Sequence, residues 1–296
     1  MLESGEELRF QQIHIEVARN ATDDFNPFHD KNRWQNVANN PFGGPIVLGF
    51  QLECLIAHHM REFREAHGEA ALIEREQLRY SNYEFKFAGA VKPGQEISVA
   101  VKSSRFKDGD APALSNRVSL HADGKLAMTG YKRESREPMY LEEPDLKAGG
   151  DLTQATDRTF LEGEELFLKR KYLTTSNAKN FLSGSLVEQS DYIDEIAEKI
   201  AFPEIFPCAL LSSALLERAW QQGHDFERAP MVYKSHQICL DREVMGGLRS
   251  NDPVHLLSRR ANPEESTHRY QCYAVIGNEQ ILLRAQIELM PLSDGA

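Results

Sequence analysis

The chain carries a similar order of landmarks twice, and a duplicated order restricts it to architectures assembled from two like units. In the first half, Pro41 and Pro45 lead into an apolar stretch of helical length at residues 46–60. In the second half, Pro203 and Pro207 lead into CALLSSALLERAW. Proline suits the first turn of a helix, where its missing N–H would have no partner, so both pairs are read as helix starts. Each stretch is apolar around most of its circumference, a pattern that belongs to a helix wrapped by other structure.

Strand-like segments follow each helix. In YSNYEFKFAGA, Tyr83, Phe85 and Phe87 alternate with Glu84 and Lys86, the period of a half-buried strand. A turn at Lys92-Pro93-Gly94 precedes ISVAVKS, and Asp123-Gly124 joins SNRVSLHA to KLAMTGYK as a hairpin. The second half answers with VYKSHQICL, a turn around Asp252-Pro253, VHLLSRR, and then THRYQCYAVI and QILLRAQIEL joined through Gly277-Asn278. Pro41 and Pro203, Pro93 and Pro253, and Gly124 and Gly277 each recur at an offset of roughly 160 residues. The expected fold class is therefore α+β, with two tandem units that each set an antiparallel sheet against one central helix. Proline, glycine and acidic residues gather in PMYLEEPDLKAGGDL. The expected division is a first unit at 1–135, a linker at 136–163 and a second unit at 164–296.

A length of 296 residues suits two such cores. Acidic residues outnumber basic ones by 45 to 34, so the overall field repels polyanions and nucleic acid is not an expected partner. The densest basic run, Lys169-Arg170-Lys171, is read as a solvated strand edge or loop. No apolar run is long enough to span a bilayer, and MLESGEELRF lacks the basic-then-apolar order of a secretory signal. Cys54, Cys208, Cys239 and Cys272 show no C-x-x-C spacing and sit in apolar segments, as core cysteines of a reducing, cytoplasmic setting do. The histidines form no H-E-x-x-H or similar spacing, and neither a P-loop nor G-x-G-x-x-G occurs. No metal and no redox or nucleotide cofactor is expected.

Chemistry concentrates in Asn20-Ala-Thr-Asp-Asp-Phe-Asn-Pro-Phe-His29, immediately before the first apolar helix. The residue before a proline is pushed away from the α region, so Asn26-Pro27 forces a turn between Asp24 and His29. Such a turn can bring a carboxylate and an imidazole toward one water molecule, the arrangement of acid/base catalysis. The same residues also suit a plain structural turn, with Asp24 as a cap, Asn26 as turn support and His29 as a partly exposed polar residue.

The pattern D-F-N-P-F-H followed by F-G-G-P-I-V-L-G-F resembles the hydratase motif of the MaoC-like family, which includes (R)-specific enoyl-CoA hydratases. The resemblance covers about the first 135 residues; the second half resembles the family in architecture only. It implies a double hot-dog fold and addition of water to a trans-2-enoyl thioester, or the reverse dehydration. In that reaction Asp24 and His29 activate the water, Asn26 helps position them, and the Gly49 N–H stabilises the enolate oxygen. Coenzyme A or acyl carrier protein would serve as the substrate's handle. Leu48 stands where the family commonly has histidine, and Asp23 where a small residue is usual. The second repeat reads NFLSGSLVEQSD in place of the motif, with Leu211 opposite Gly49, so one active half is expected. A hot-dog acyl-CoA thioesterase and a non-catalytic acyl-thioester binding protein are the alternative functions. The exposed sheet edges of such a unit can pair into a homodimer.

Overall fold

The computed structural model describes residues 8–142, 144, 150–161, 165–261 and 267–292. Of the segment read as a linker, residues 143, 145–149 and 162–163 lie outside the described residues. The first half runs β1 (Leu8–Arg9), α1 (Gln12–Thr22), α2 (Gly49–Ala66), α3 (Glu69–Arg75), β2 (Tyr80–Phe87), β3 (Glu96–Val101), β4 (Arg105–Lys107), β5 (Ala113–Ala122) and β6 (Lys125–Ser135). After the short β7 (Thr159–Phe160) come β8 (Phe167–Leu173), α4 (Thr175–Gly184), β9 (Ile193–Asp194), β10 (Lys199–Ile200) and α5 (Ile205–Gln221). The chain closes with β11 (Met231–Asp241), α6 (Arg242–Gly247), β12 (Asp252–Ala261), β13 (His268–Ile276) and β14 (Gln280–Pro291).

One antiparallel sheet takes the order β1-β3-β5-β6-β2-β11-β14-β13-β12-β8-β7, with β4 on β5. Outward from its centre, β2-β6-β5-β3-β1 is answered by β11-β14-β13-β12-β8, so the duplicated order of the sequence becomes a pseudo-symmetric sheet. The join is β2 against β11, with Phe85 opposite His236 and Tyr83 opposite Ile238. In the β5–β6 hairpin Asp123 and Gly124 both take positive φ, 48° and 73°, which matches the type I′ turn that the Asp-Gly pair favours.

The long helices α2 and α5 pack against this sheet in one core, where Phe50, Leu55, Phe206 and Leu210 meet Phe85 and Ile238. The helix α5 is buried on nearly every face, as its continuous apolar sequence requires. Beside them α1 crosses α4 closely: a Cβ on Gly184 would fall 2.8 Å from the His14 carbonyl oxygen, so only glycine allows this approach. The buried Gln51 side chain ties three helices together, accepting from Leu48 N at 3.1 Å and donating to the carbonyls of His14 at 3.1 Å and Gly184 at 2.5 Å.

Four sequence expectations need correction. The proline pairs do not occupy equivalent places: Pro45 precedes α2, which starts at Gly49 after the N-cap Leu48, whereas Pro207 lies inside the first turn of α5, after the N-cap Glu204. By helix start, Ile205 and not Leu211 is the counterpart of Gly49. Asp252 and Pro253 begin the strand β12 instead of forming a turn, with Pro253 opposite Tyr172. The basic run is not a solvated edge, because Lys169 on β8 is buried and ion-paired with Glu217 at 2.5 Å, and Lys171 pairs with Asp23. Periodicity could not show this, since both partners lie far away in the chain.

Candidate active site

The site forms where the first motif meets the start of α2. Helix α1 ends at Asp23, whose φ of 55° turns the chain out of the helix. Asp24 Oδ1 then accepts from the Asn26 backbone N–H at 2.9 Å, and Asn26 Oδ1 accepts from Phe28 N–H at 3.1 Å, which caps a single 3-10 turn at Pro27–His29. Pro27 supports this locally by excluding helix at Asn26 and fixing its own φ for the turn. The same bonds that a structural turn would make thus also aim the imidazole.

His29 Nδ1 lies 2.8 Å from the Ile46 carbonyl oxygen. A carbonyl only accepts, so Nδ1 carries the proton and Nε2 keeps the lone pair of the neutral ring. Asp24 and His29 are 4% and 5% exposed. Burial pushes the imidazole below its ordinary range, while the Asp24 charge and the Ile46 bond act in the opposite direction. The ring is therefore neutral near pH 7 yet gains from Asp24 when it takes up a proton.

Gly49 opens α2, where the first N–H groups have no carbonyl one turn earlier to bond. The positive end of the helix dipole points the same way, so developing negative charge is favoured here. Beside Gly49 opens an apolar cavity of about 270 Å³, lined by Asn26 and His29 from the first half and by Ser212, Leu215, Tyr233 and Tyr270 from the second. A Cβ on Gly49 would stand 3.0 Å from Phe87 Cζ and 3.1 Å from Tyr233 Cδ2, so glycine here permits the aromatic wall to close on the helix start.

Of the four residues singled out in the sequence, three belong to the lining of this cavity. Asn26, His29 and Gly49 line it, whereas Asp24 stands behind the wall. Its Oδ2 accepts from Ser212 Oγ at 2.5 Å, and Ser212 Oγ accepts from Tyr233 OH at 3.0 Å. Sequence reasoning missed Ser212 and Tyr233. A signal for Ser212 existed: two serines interrupt the otherwise apolar run from Ile205 to Leu216 of α5, and a buried hydroxyl must find a partner. Ser213 bonds its own helix at the Leu210 carbonyl, and Ser212 bonds Asp24.

Among the described residues no group of three or more His, Cys, Asp or Glu side chains is placed to hold a metal ion, and no helix is long and apolar enough to cross a membrane.

No family model and no curated protein matches the sequence. Solved structures match over nearly the whole chain. One described as a MaoC-like dehydratase has a TM-score of 0.58 at 10% identity, covering 96% of this chain and 95% of its own. A MaoC domain protein dehydratase from Chloroflexus aurantiacus J-10-fl has a TM-score of 0.57 at 10% identity, over 98% and 94%. A conserved hypothetical protein from Mycobacterium tuberculosis, described as having a double hotdog fold, has a TM-score of 0.57 at 11% identity, over 98% and 94%. The fold is a double hot-dog. Identities this low establish architecture and leave chemistry to the site itself.

Within the double hot-dog, the second unit has a similarly capped 3-10 turn built from different residues. Glu188 takes Asn26's place as cap of a 3-10 turn, Gln189–Asp191, accepting from Ser190 N–H at 3.1 Å. Asp191 ends that turn where His29 ends the other, and it faces Arg61 at 3.6 Å. At the start of α5, the carboxylate of Glu204 accepts from Ser81, Tyr83 and Lys132 and, against its burial, is held down to a pKa of about 2, chiefly by the Lys132 charge.

Proposed function

We propose that the protein is a hydro-lyase that adds water to a trans-2-enoyl thioester, or removes it from the 3-hydroxyacyl thioester, using His29, Asp24 and the Gly49 N–H. The observation that carries this reading is that one apolar cavity is lined by both a neutral imidazole, with a carboxylate charge acting on it, and the first residue of a helix.

The chemistry follows from these positions. Water placed between His29 and the substrate gives a proton to Nε2 as its oxygen bonds to C3. The C2=C3 electron pair moves toward the thioester oxygen, where the Gly49 N–H and the dipole of α2 stabilise the enolate. The imidazolium, stabilised by Asp24, then delivers the proton to C2, so H and OH are both accounted for and the ring returns to its neutral form. Asn26 holds the turn that sets Asp24 and His29 relative to each other. Apolar walls suit an acyl chain, with coenzyme A or acyl carrier protein as the handle outside.

The test is a panel of trans-2-enoyl-CoA substrates from four carbons to long and branched chains, followed for both 3-hydroxyacyl product and free thiol. Hydration without thiol release supports the reading. Thiol release without hydration moves the assignment to a thioesterase, and neither activity across the panel counts against both enzymes in favour of a binding role.

A further inference from the structure

Each oxygen of Asp24 has a defined donor: Asn26 N–H on Oδ1 at 2.9 Å and Ser212 Oγ on Oδ2 at 2.5 Å. A serine hydroxyl has a single proton. Because Ser212 gives that proton to Asp24, the 3.0 Å contact with Tyr233 requires the phenol to be the donor. Burial and the Asp24 charge both push the Tyr233 phenol well above its ordinary range, so it stays protonated. The direction is therefore fixed, from Tyr233 to Ser212 to Asp24.

The backbone makes a specific accommodation for this tyrosine. His236, Ile238 and Leu240 face the core from β11 at the strand period of two, and continuing that period would turn residue 233 the other way. The pairing of β11 with β14 shifts register between Tyr233 and Ser235. A bulge of this kind re-aims a side chain, and here it brings Tyr233 to the cavity wall. The ring is then held edge-on by His236 at 4.4 Å and Phe50 at 5.7 Å, so its hydroxyl has little freedom except toward Ser212.

On the reading of the site given above, we propose that Tyr233 is a positioning residue for the reaction: it orients the Ser212 hydroxyl onto Asp24, so that the unit lacking the motif supplies a working part of the active site. Among the described residues no hydrogen bond joins Asp24 to Tyr233 directly, and the hydrogen-bonded link runs through Ser212.

Tyr233→Phe removes the hydroxyl and keeps the ring. Its kcat for enoyl-CoA hydration is expected to fall about 3- to 10-fold, the scale of one neutral hydrogen bond, with KM unchanged. In an Asp24→Asn background the same substitution should cost nothing further, because residues acting through one another are not additive. A raised KM with native kcat, or the same loss in both backgrounds, overturns the proposal in favour of a mere wall residue. Proton NMR reads the relay without turnover. The Ser212 hydroxyl proton should give a slowly exchanging downfield resonance, assigned by its loss in Ser212→Ala, and this resonance should broaden away in Tyr233→Phe. An unchanged resonance overturns the relay. Absence of hydration in the native protein overturns the reading of the site, and the NMR result still decides whether Tyr233 orients Ser212.

Discussion

Gly49→Ala adds one methyl group at the most crowded point of the site. Its Cβ would lie 3.0 Å from Phe87 Cζ, 3.1 Å from Phe87 Cε1 and 3.1 Å from Tyr233 Cδ2. Ring atoms can usually yield a few tenths of an ångström, but these rings are backed by His236, which sits 5.1 Å from Phe87 and 4.4 Å from Tyr233. His236 in turn is fully buried and pinned to Glu53 at 2.6 Å. Overpacking of this kind costs about 1–3 kcal/mol, and the better helix propensity of alanine offsets at most about 1 kcal/mol. The net loss of stability is thus expected between about 0 and 3 kcal/mol. Activity should fall further than stability, because the methyl narrows access to the Gly49 N–H and pushes Tyr233 off Ser212. A loss of 1.4–2.7 kcal/mol in transition-state stabilisation is roughly a 10- to 100-fold drop in kcat/KM. Denaturant unfolding and enoyl-CoA hydration, measured on the same preparation, separate the two effects. Native stability together with native kcat/KM would refute the argument, since it would mean that the rings move freely and that close approach at Gly49 is unnecessary.

Further expectations concern pH, the core and the second unit. Burial lowers the pKa of His29, His58, His59, His224, His255 and His268, so the unfolded chain binds more protons than the native one as pH falls through about 6.5. Stability by urea unfolding should therefore decrease from pH 7 to pH 5, and less steeply in His29→Gln; a flat or rising trend contradicts the assigned burial. Glu53 and His236 are both fully buried, and burial pushes the Glu53 carboxyl up. Glu53→Leu leaves the buried His236 ring without its hydrogen-bond partner and is expected to cost about 1–3 kcal/mol, while Glu53→Leu with His236→Leu should recover most of that loss; additive losses would show that the pair is not coupled. Glu188→Gln alters only the cap of the second unit's 3-10 turn, so hydration within about twofold of native is expected, and a collapse of turnover in a folded variant would place chemistry in that unit.

Local signals in the sequence reached as far as local physics does. Asn26-Pro27 dictates a turn, and the structure has it as a capped 3-10 helix; Asp123-Gly124 dictates a tight hairpin, and both residues take positive φ. The apolar circumference of α5 announced a wrapped helix. What was not legible depends on partners distant in the chain. Pro45 and Pro207 share a spacing with Pro41 and Pro203 but not a position relative to the helix, because proline is compatible both with the first turn and with the extended segment before it. Lys169 reads as a solvated charge until Glu217, on α5, is placed beside it. The site itself was half visible: the motif supplies Asp24, Asn26 and His29, whereas Ser212 lies 188 residues from Asp24, and Tyr233 reaches the cavity only through a register shift that no alternation pattern records.

Hydration by His29→Ala and Asp24→Asn, each checked for native unfolding behaviour, tests the central claim most directly. Removing one acid/base group typically costs about 10²- to 10⁴-fold in rate, and each variant is expected within or beyond that range, with no release of thiol in its place. A loss of only a few fold in either folded variant would contradict the assignment of His29 and Asp24 to the chemistry.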